Sequence, residues 1–181
     1  MKQLIVARSA GFCFGVSRAV QLAEQTLADG AGCWCLGELI HNRAVVSRLE
    51  QQGMKTALST EEIPAGGRVI IRSHGVDRAT LERLREKGCE IVDCTCPRVS
   101  VIHRLAERAG KEDRRVLIIG QKEHPEIEAI CGWCTDALVF STPEELESWL
   151  VSDEQGREEA LCVVFQTTQT QQVLEACKKI I

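Results

Sequence analysis

The sequence predicts an α/β protein built from two small parallel-sheet domains. Three observations predict it. Short runs of consecutive apolar residues alternate with stretches whose apolar residues recur at helical spacing. The runs are continuous rather than alternating, as in strands covered on both faces of a parallel sheet. The alternation also repeats in similar style in residues 1–96 and 97–181, with a seam near Asp93 to Pro97 and no Pro/Ser-rich linker between. The two units are therefore expected to pack together.

The elements follow in order. Leu4-Ile5-Val6-Ala7 reads as a buried strand. After a glycine-rich loop, Val16, Ala19, Val20, Ala23 and Leu27 mark one helix face, closed by Asp29-Gly30. Cys33-Trp34-Cys35-Leu36 is a second strand. Asn42 caps a helix carrying Val45, Val46 and Leu49, with Gly53 just past its end. Residues 68–72 (RVIIR) are a third strand. Asp77 caps a helix with Leu81 and Leu84, stopped at Gly88, and Glu90-Ile91-Val92-Asp93 is a fourth strand.

Cys96-Pro97 opens the next helix, since proline suits the first helical position; Val99, Ile102, Ala106 and Ala109 share a face. Val116 to Gly120 is a strand, and Pro125-Glu126 starts a helix. Ala137 to Phe140 is a strand, and Thr142-Pro143-Glu144-Glu145 is a capping-box start. Leu161 to Phe165 is the last strand, and a helix runs from about Thr170 to the end. Residues 107–115 (ERAGKEDRR) and 152–159 (SDEQGREE) read as charge-dense solvated turns.

Composition narrows the function classes. The 181 residues carry a formal charge of −4 and are 44% hydrophobic, enough for a core. Mild acidity gives no electrostatic footprint for nucleic acid. No apolar run approaches the roughly 18 residues that span a bilayer, and the opening MKQLIVARSAG is too weakly apolar for a signal-peptide core. The expectation is a cytoplasmic protein with neither membrane nor nucleic-acid partners. Ten cysteines stand out. In a reducing compartment they are core residues, metal ligands or catalytic groups. Cys89, Cys162 and Cys177 lie within apolar patterns and read as core.

The unusual residues gather at one kind of place. Cys13, His41, His74 and Cys96 each follow a predicted strand of the first half. His124 and Glu126 follow the first strand of the second half, and Thr167 and Thr168 follow its last. Parallel sheets bind ligands at these carboxyl ends. Three of the four histidines are in the set. Singly, each has an ordinary reading as solvated loop residue, small packed residue or helix cap; together they point to one site. Histidines and helix N-termini favour an anion such as a phosphate or diphosphate. Lysine and arginine are scarce in these loops, so part of the neutralisation comes from imidazolium or from elsewhere. Thiols at helix N-termini, as Cys13 and Cys96 are expected to be, favour thiolate and hence soft metals or iron–sulfur clusters. Glu126, beside His124, is the residue placed to move a proton. Cys131-x-x-Cys134 has zinc-knuckle or redox spacing, but a zinc site needs a second pair. Cys33/Cys35 and Cys94/Cys96 are close pairs that chelate or merely pack.

The motifs GFCFGVSRA (Gly11–Ala19), HNR (His41–Arg43), SHGV (Ser73–Val76), TCPRV (Thr95–Val99), HPEIE (His124–Glu128) and QTT (Gln166–Thr168) occur in this order. Together they resemble the 4-hydroxy-3-methylbut-2-enyl diphosphate reductase family over the whole chain. The resemblance implies two lobes of a three-lobed trefoil around an iron–sulfur cluster, 4Fe-4S, held by three cysteines with one iron open to the substrate hydroxyl. It implies Cys13 and Cys96 as two cluster ligands, and His41, His74 and His124 as holders of the diphosphate. Glu126 is then the proton donor, and Thr167, at the substrate, orders the proton relay. The implied reaction is a two-electron, two-proton reductive dehydroxylation giving isopentenyl and dimethylallyl diphosphates, with ferredoxin or flavodoxin as electron donor. The family's third domain, with the third cysteine and a serine/asparagine-rich loop, has no counterpart in these residues. The expectation is therefore a two-domain portion of the reductase, in which Cys94 and Cys177 are the thiols to weigh as a substitute third ligand. The alternative is a non-enzymatic metal-binding or assembly module on the same scaffold.

Overall fold

The computed structural model describes residues 5–7, 10–152 and 160–181. They form two parallel sheets with helices on both faces of each. The first sheet contains β1 (Cys33–Leu36), β2 (Met54–Ala57), β3 (Arg68–Ile71) and β4 (Glu90–Asp93) in the order β2-β1-β3-β4. The second contains β5 (Arg115–Ile119), β6 (Leu138–Phe140) and β7 (Leu161–Phe165) in the order β6-β5-β7. The strands of each sheet pair only among themselves.

The helices are α1 (Phe14–Leu27), α2 (Arg43–Gln51), α3 (Arg78–Glu86), α4 (Pro97–Lys111), α5 (Pro125–Cys131), α6 (Pro143–Ser152) and α7 (Gln171–Ile180). Local chemistry starts them as the sequence suggests. Asn42 Oδ1 accepts from Val45 N, Asp77 Oδ1 from Thr80 N, and Thr170 Oγ1 from Val173 N. At the start of α6, Thr142 Oγ1 accepts from Glu145 N, while the Glu145 carboxylate reaches back to Ser141 N.

Strand alternation divides the core into layers. Ile70, Cys33 and Cys35 join Ala19, Ala23, Val46 and Leu49 of α1 and α2 on one face of the first sheet. Val69 and Ile71 meet Leu84 of α3 on the other. In the second sheet Val116 and Ile118 pack on α4 and α5, whereas Leu117 and Ile119 pack on α6 and α7. The chain therefore leaves β1 and its neighbour β3 towards opposite faces, and leaves β5 and its neighbour β7 likewise. Each sheet has a switch point there, the crevice where open α/β sheets bind ligands.

Four expectations need correction. Ile5, Val6 and Ala7 form no strand: Ile5 and Val6 are exposed, and no partner strand lies beside them among the described residues. Leu4 lies outside the described residues. A strand exists only through a neighbour's backbone groups, which an apolar run alone does not supply. Cys13 consequently follows no strand, although it is the N-cap of α1. The edge strand β2 was not expected; its MKTA sequence buries only its ends. Finally, Glu107 to Lys111 continue α4 instead of forming a turn, with Glu107–Lys111 and Arg108–Glu112 pairs along the exposed side. Of the other charge-dense stretch, residues 153–159 lie outside the described residues.

Candidate functional site

The loops beyond β1, β3 and β4 are laced together by backbone bonds that continue the sheet. Ser73 N donates to Leu39 O, and Cys96 N donates to Ser73 O. His74 thus sits on the middle rung, between the loop of His41 and that of Cys96. In the second sheet Gln166 does the lacing. Its backbone N donates to Ile119 O, its Oε1 accepts from Gln121 N, and its Nε2 donates to Thr168 Oγ1. Both strand ends that bracket the second switch point are tied by that one buried side chain.

The two switch points face each other. The His41 and His74 rings lie 4.4 Å apart, and His124 completes the trio at 5.6 and 5.4 Å. One ligand nitrogen from each ring falls within 4.8 Å of the others. His124 is the N-cap of α5, and its Nδ1 accepts from Glu126 N at 3.1 Å. An accepting Nδ1 leaves the ring proton on Nε2. One residue into that helix, Glu126 is buried at 2% exposure. Its Oε1 accepts from Thr167 N at 2.6 Å and its Oε2 from Thr167 Oγ1 at 2.7 Å.

Burial, reinforced by His41, Arg72 and His124, pushes the His74 pKa down to about 3. Burial also lowers that of His124, against the pull of Glu126. Both rings are neutral at pH 7, so neither supplies imidazolium. The fixed cation is Arg72, at the end of β3. Its Nε is buried without a hydrogen-bond partner, as is Nδ1 of His74. A buried cationic donor without an acceptor marks a place for an anion. Gly37 makes room for it, since a Cβ there would stand 2.6 Å from Arg72 Nη1. The sequence shows Arg72 only as the polar end of a strand, and it was missed. Gln166 was noticed only as part of QTT.

Cys13 and Cys96 are the N-caps of α1 and α4, and neither helix takes a side-chain cap bond. Cys13 is exposed and Cys96 half-buried. The Cys96 sulfur lies against the first turn of α1, 2.5 Å from where a Cβ on Gly15 would be. Gly15 is therefore a cradle for that sulfur, and two soft donors at helix N-termini fit an iron–sulfur group. The other thiols do not join them. Cys33, Cys35 and Cys94 are buried in one core layer; burial raises Cys33 to about 11 and Cys94 to about 12, and raises Cys35 as well. Cys177 is fully buried beside α6. Burial of Cys94 and Cys177 in these layers argues against either as a third ligand. Cys134 turns its thiol towards the carbonyls of Ile130 and Cys131, so Cys131-x-x-Cys134 packs on the second sheet and gains no second pair.

Fold and site together define a parallel α/β protein whose two sheets bring three imidazoles together beside a buried carboxyl. The sequence profile of the LytB protein family matches residues 4–181, and the chain belongs to that family. A relative from Clostridioides difficile (strain 630) is 37% identical over 165 residues, and one from Aquifex aeolicus (strain VF5) is 38% identical over 177. Both are named 4-hydroxy-3-methylbut-2-enyl diphosphate reductase. The alignments cover 90% and 95% of this chain but only 58% and 59% of those proteins. A solved structure described as (E)-4-hydroxy-3-methyl-but-2-enyl diphosphate reductase, the terminal enzyme of the non-mevalonate pathway, superposes with a TM-score of 0.81 at 36% identity, over 98% of this chain and 63% of its own. The E-1-hydroxy-2-methyl-but-2-enyl-4-diphosphate reductase from Plasmodium falciparum, 23% identical, shares the fold with a TM-score of 0.88 over 96% of this chain and 54% of its own. No helix among the described residues is long and apolar enough to cross a membrane.

Proposed function

We propose that the chain forms the substrate-binding and proton-donating part of a 4-hydroxy-3-methylbut-2-enyl diphosphate reductase. The observation that carries this reading is the convergence of His41, His74 and His124 beside the buried Glu126–Thr167 pair. The chain spans under two thirds of its relatives' length, so the complete activity belongs to the proposal. We place the boundary between its two α/β domains at 96/97, where β4 has ended and α4 begins.

In this reading the diphosphate lies among the three imidazoles, with Arg72 supplying fixed positive charge. Neutral His124 donates through Nε2, and Arg72 Nε and His74 Nδ1 gain the partners they lack. The substrate hydroxyl points towards Glu126. That carboxyl gives a proton to the departing oxygen, which leaves as water. Thr167, whose hydroxyl both donates and accepts, holds the carboxyl in place and passes on the replacement proton. Cys13 and Cys96 would hold a cluster of 4Fe-4S type, together with a further ligand that these residues do not supply. When bound, such a cluster would supply electrons and Lewis-acid chemistry at the hydroxyl. Two electrons from a ferredoxin or flavodoxin and two protons balance the loss of the hydroxyl as water. The products are isopentenyl and dimethylallyl diphosphates.

The test is anaerobic reconstitution with iron and sulfide of this chain within a full-length reductase, followed by turnover with 4-hydroxy-3-methylbut-2-enyl diphosphate. Glu126→Gln is expected to keep diphosphate affinity and lose turnover by about 10²-fold or more. Equal turnover in the Gln form would sink the proton-donor role.

A further inference from the structure

His103 is buried at 5% exposure near the middle of α4, and burial pulls its pKa down to about 4, so the ring is neutral. Its Nε2 is buried without a partner. A neutral ring with an orphaned nitrogen is a poor choice for mere filling, because an apolar ring fills space without that cost. Its neighbours explain its place. Gly75, directly after His74, has φ +75°, and a Cβ there would stand 2.5 Å from His103 Cε1. The flat imidazole edge therefore lies against the turn that presents His74.

The other face of His103 stacks on Trp133, with centroids 5.1 Å apart and planes 18° from parallel. The Trp133 Nε1–H donates to Val76 O at 3.0 Å. Its neighbour Gly132 accepts from Arg78 N through its carbonyl and packs against Asp77 with no room for a side chain. Trp133 lies two residues beyond α5, whose N-cap is His124 and whose first turn carries Glu126. One end of this short helix thus holds the anion-facing His124. The other grips the loop that carries His74, on the other sheet.

We infer that the His103–Trp133 stack is a positioning device: it sets the Gly75 turn against α5 and so fixes the distance between His74 and His124. Its functional meaning rests on reading the histidine trio as a diphosphate site. A cleft of about 260 Å³ beside the stack, bounded by Asp93, Thr95 and Ser100 among others, gives the imidazole room to swing once the indole no longer pins it.

Two variants test this in the 181-residue chain. Trp133→Phe keeps an aromatic ring and removes the donor to Val76; His103→Ala removes the imidazole. Both are expected to weaken binding of inorganic diphosphate, read by calorimetry, about tenfold, the weight of one hydrogen bond. The NOE between the His74 and His124 rings should weaken in step, while amide shifts in both sheets stay put. Should His103→Ala fail to fold, Trp133→Phe carries the test alone. An unchanged inter-ring NOE in Trp133→Phe overturns the inference. If the unaltered chain does not bind diphosphate, the diphosphate reading fails, and the NOE still decides whether the stack positions the rings.

Discussion

Both donors of Thr167, its backbone N–H and its hydroxyl, end on the two oxygens of Glu126, at 2.6 and 2.7 Å. One residue therefore satisfies both oxygens of a buried acid, across a gap between two strand ends. Thr167→Val is expected to leave Oε2 unpaired and cost about 1–3 kcal/mol in urea unfolding. Thr167→Ser should stay within about 0.5 kcal/mol of the parent. If the Val and Ser forms are equally stable, the hydroxyl bond contributes nothing.

At Gly15 the demands of helix and site conflict. Alanine suits a helix better than glycine by up to about 1 kcal/mol. Here its Cβ would meet Cys96 Sγ at 2.5 Å. Gly15→Ala should therefore push the Cys96 sulfur aside, lose the helix gain to about 1–3 kcal/mol of overpacking, and retain less iron after anaerobic reconstitution. Full iron content in this variant would show that the Cys96 sulfur is not held by that contact.

The ten thiols should sort by burial. Cys94→Ser puts a hydroxyl into an apolar layer and is expected to cost about 1–3 kcal/mol while leaving iron uptake unchanged. Cys13→Ser, at an exposed cap, should leave the unfolding midpoint alone and abolish iron uptake. The reverse pattern would return Cys94 to the ligand set.

His74 and His103 are both neutral in the folded state, with pKa values near 3 and 4 against 6.5 when unfolded. At pH 5 the unfolded chain binds a proton on each that the folded chain does not. The neutral rings contribute stability that is fully present above pH 6.5 and drains away as pH falls towards 4 and then 3. Replacing His74 with Asn should remove about one proton from the uptake on unfolding near pH 5, measured as the difference in the slope of stability against pH. An unchanged slope would mean that the ring titrates normally in the folded protein.

Local chemistry was legible in the sequence; long-range chemistry was not. Asn42 and Asp77 announce helix starts because a cap acts within three residues. The strand-end positions of His41, His74, His124, Glu126 and Thr167 follow from the alternation of elements, and the structure brings those five together. The MKTA segment hid β2 because an edge strand needs only one good neighbour, here β1. Ile5–Ala7 misled for the opposite reason, an apolar run with no neighbouring strand among the described residues. Arg72 acquires its meaning from a turn at Gly37, and His103 from Trp133, which is thirty positions away. Neither separation leaves a periodic trace.

His41 and His74 stand on one sheet and His124 on the other, so an anion seated among them touches both. Such an anion is a removable cross-link. Each tenfold excess over its dissociation constant adds about 1.4 kcal/mol to whatever holds the pieces together. Without it, the seam rests on contacts that include His103 against Gly75, Gly132 and Trp133 against the loop after β3, and the Arg78–Glu107 pair. Loading the site should therefore turn two melting events into one.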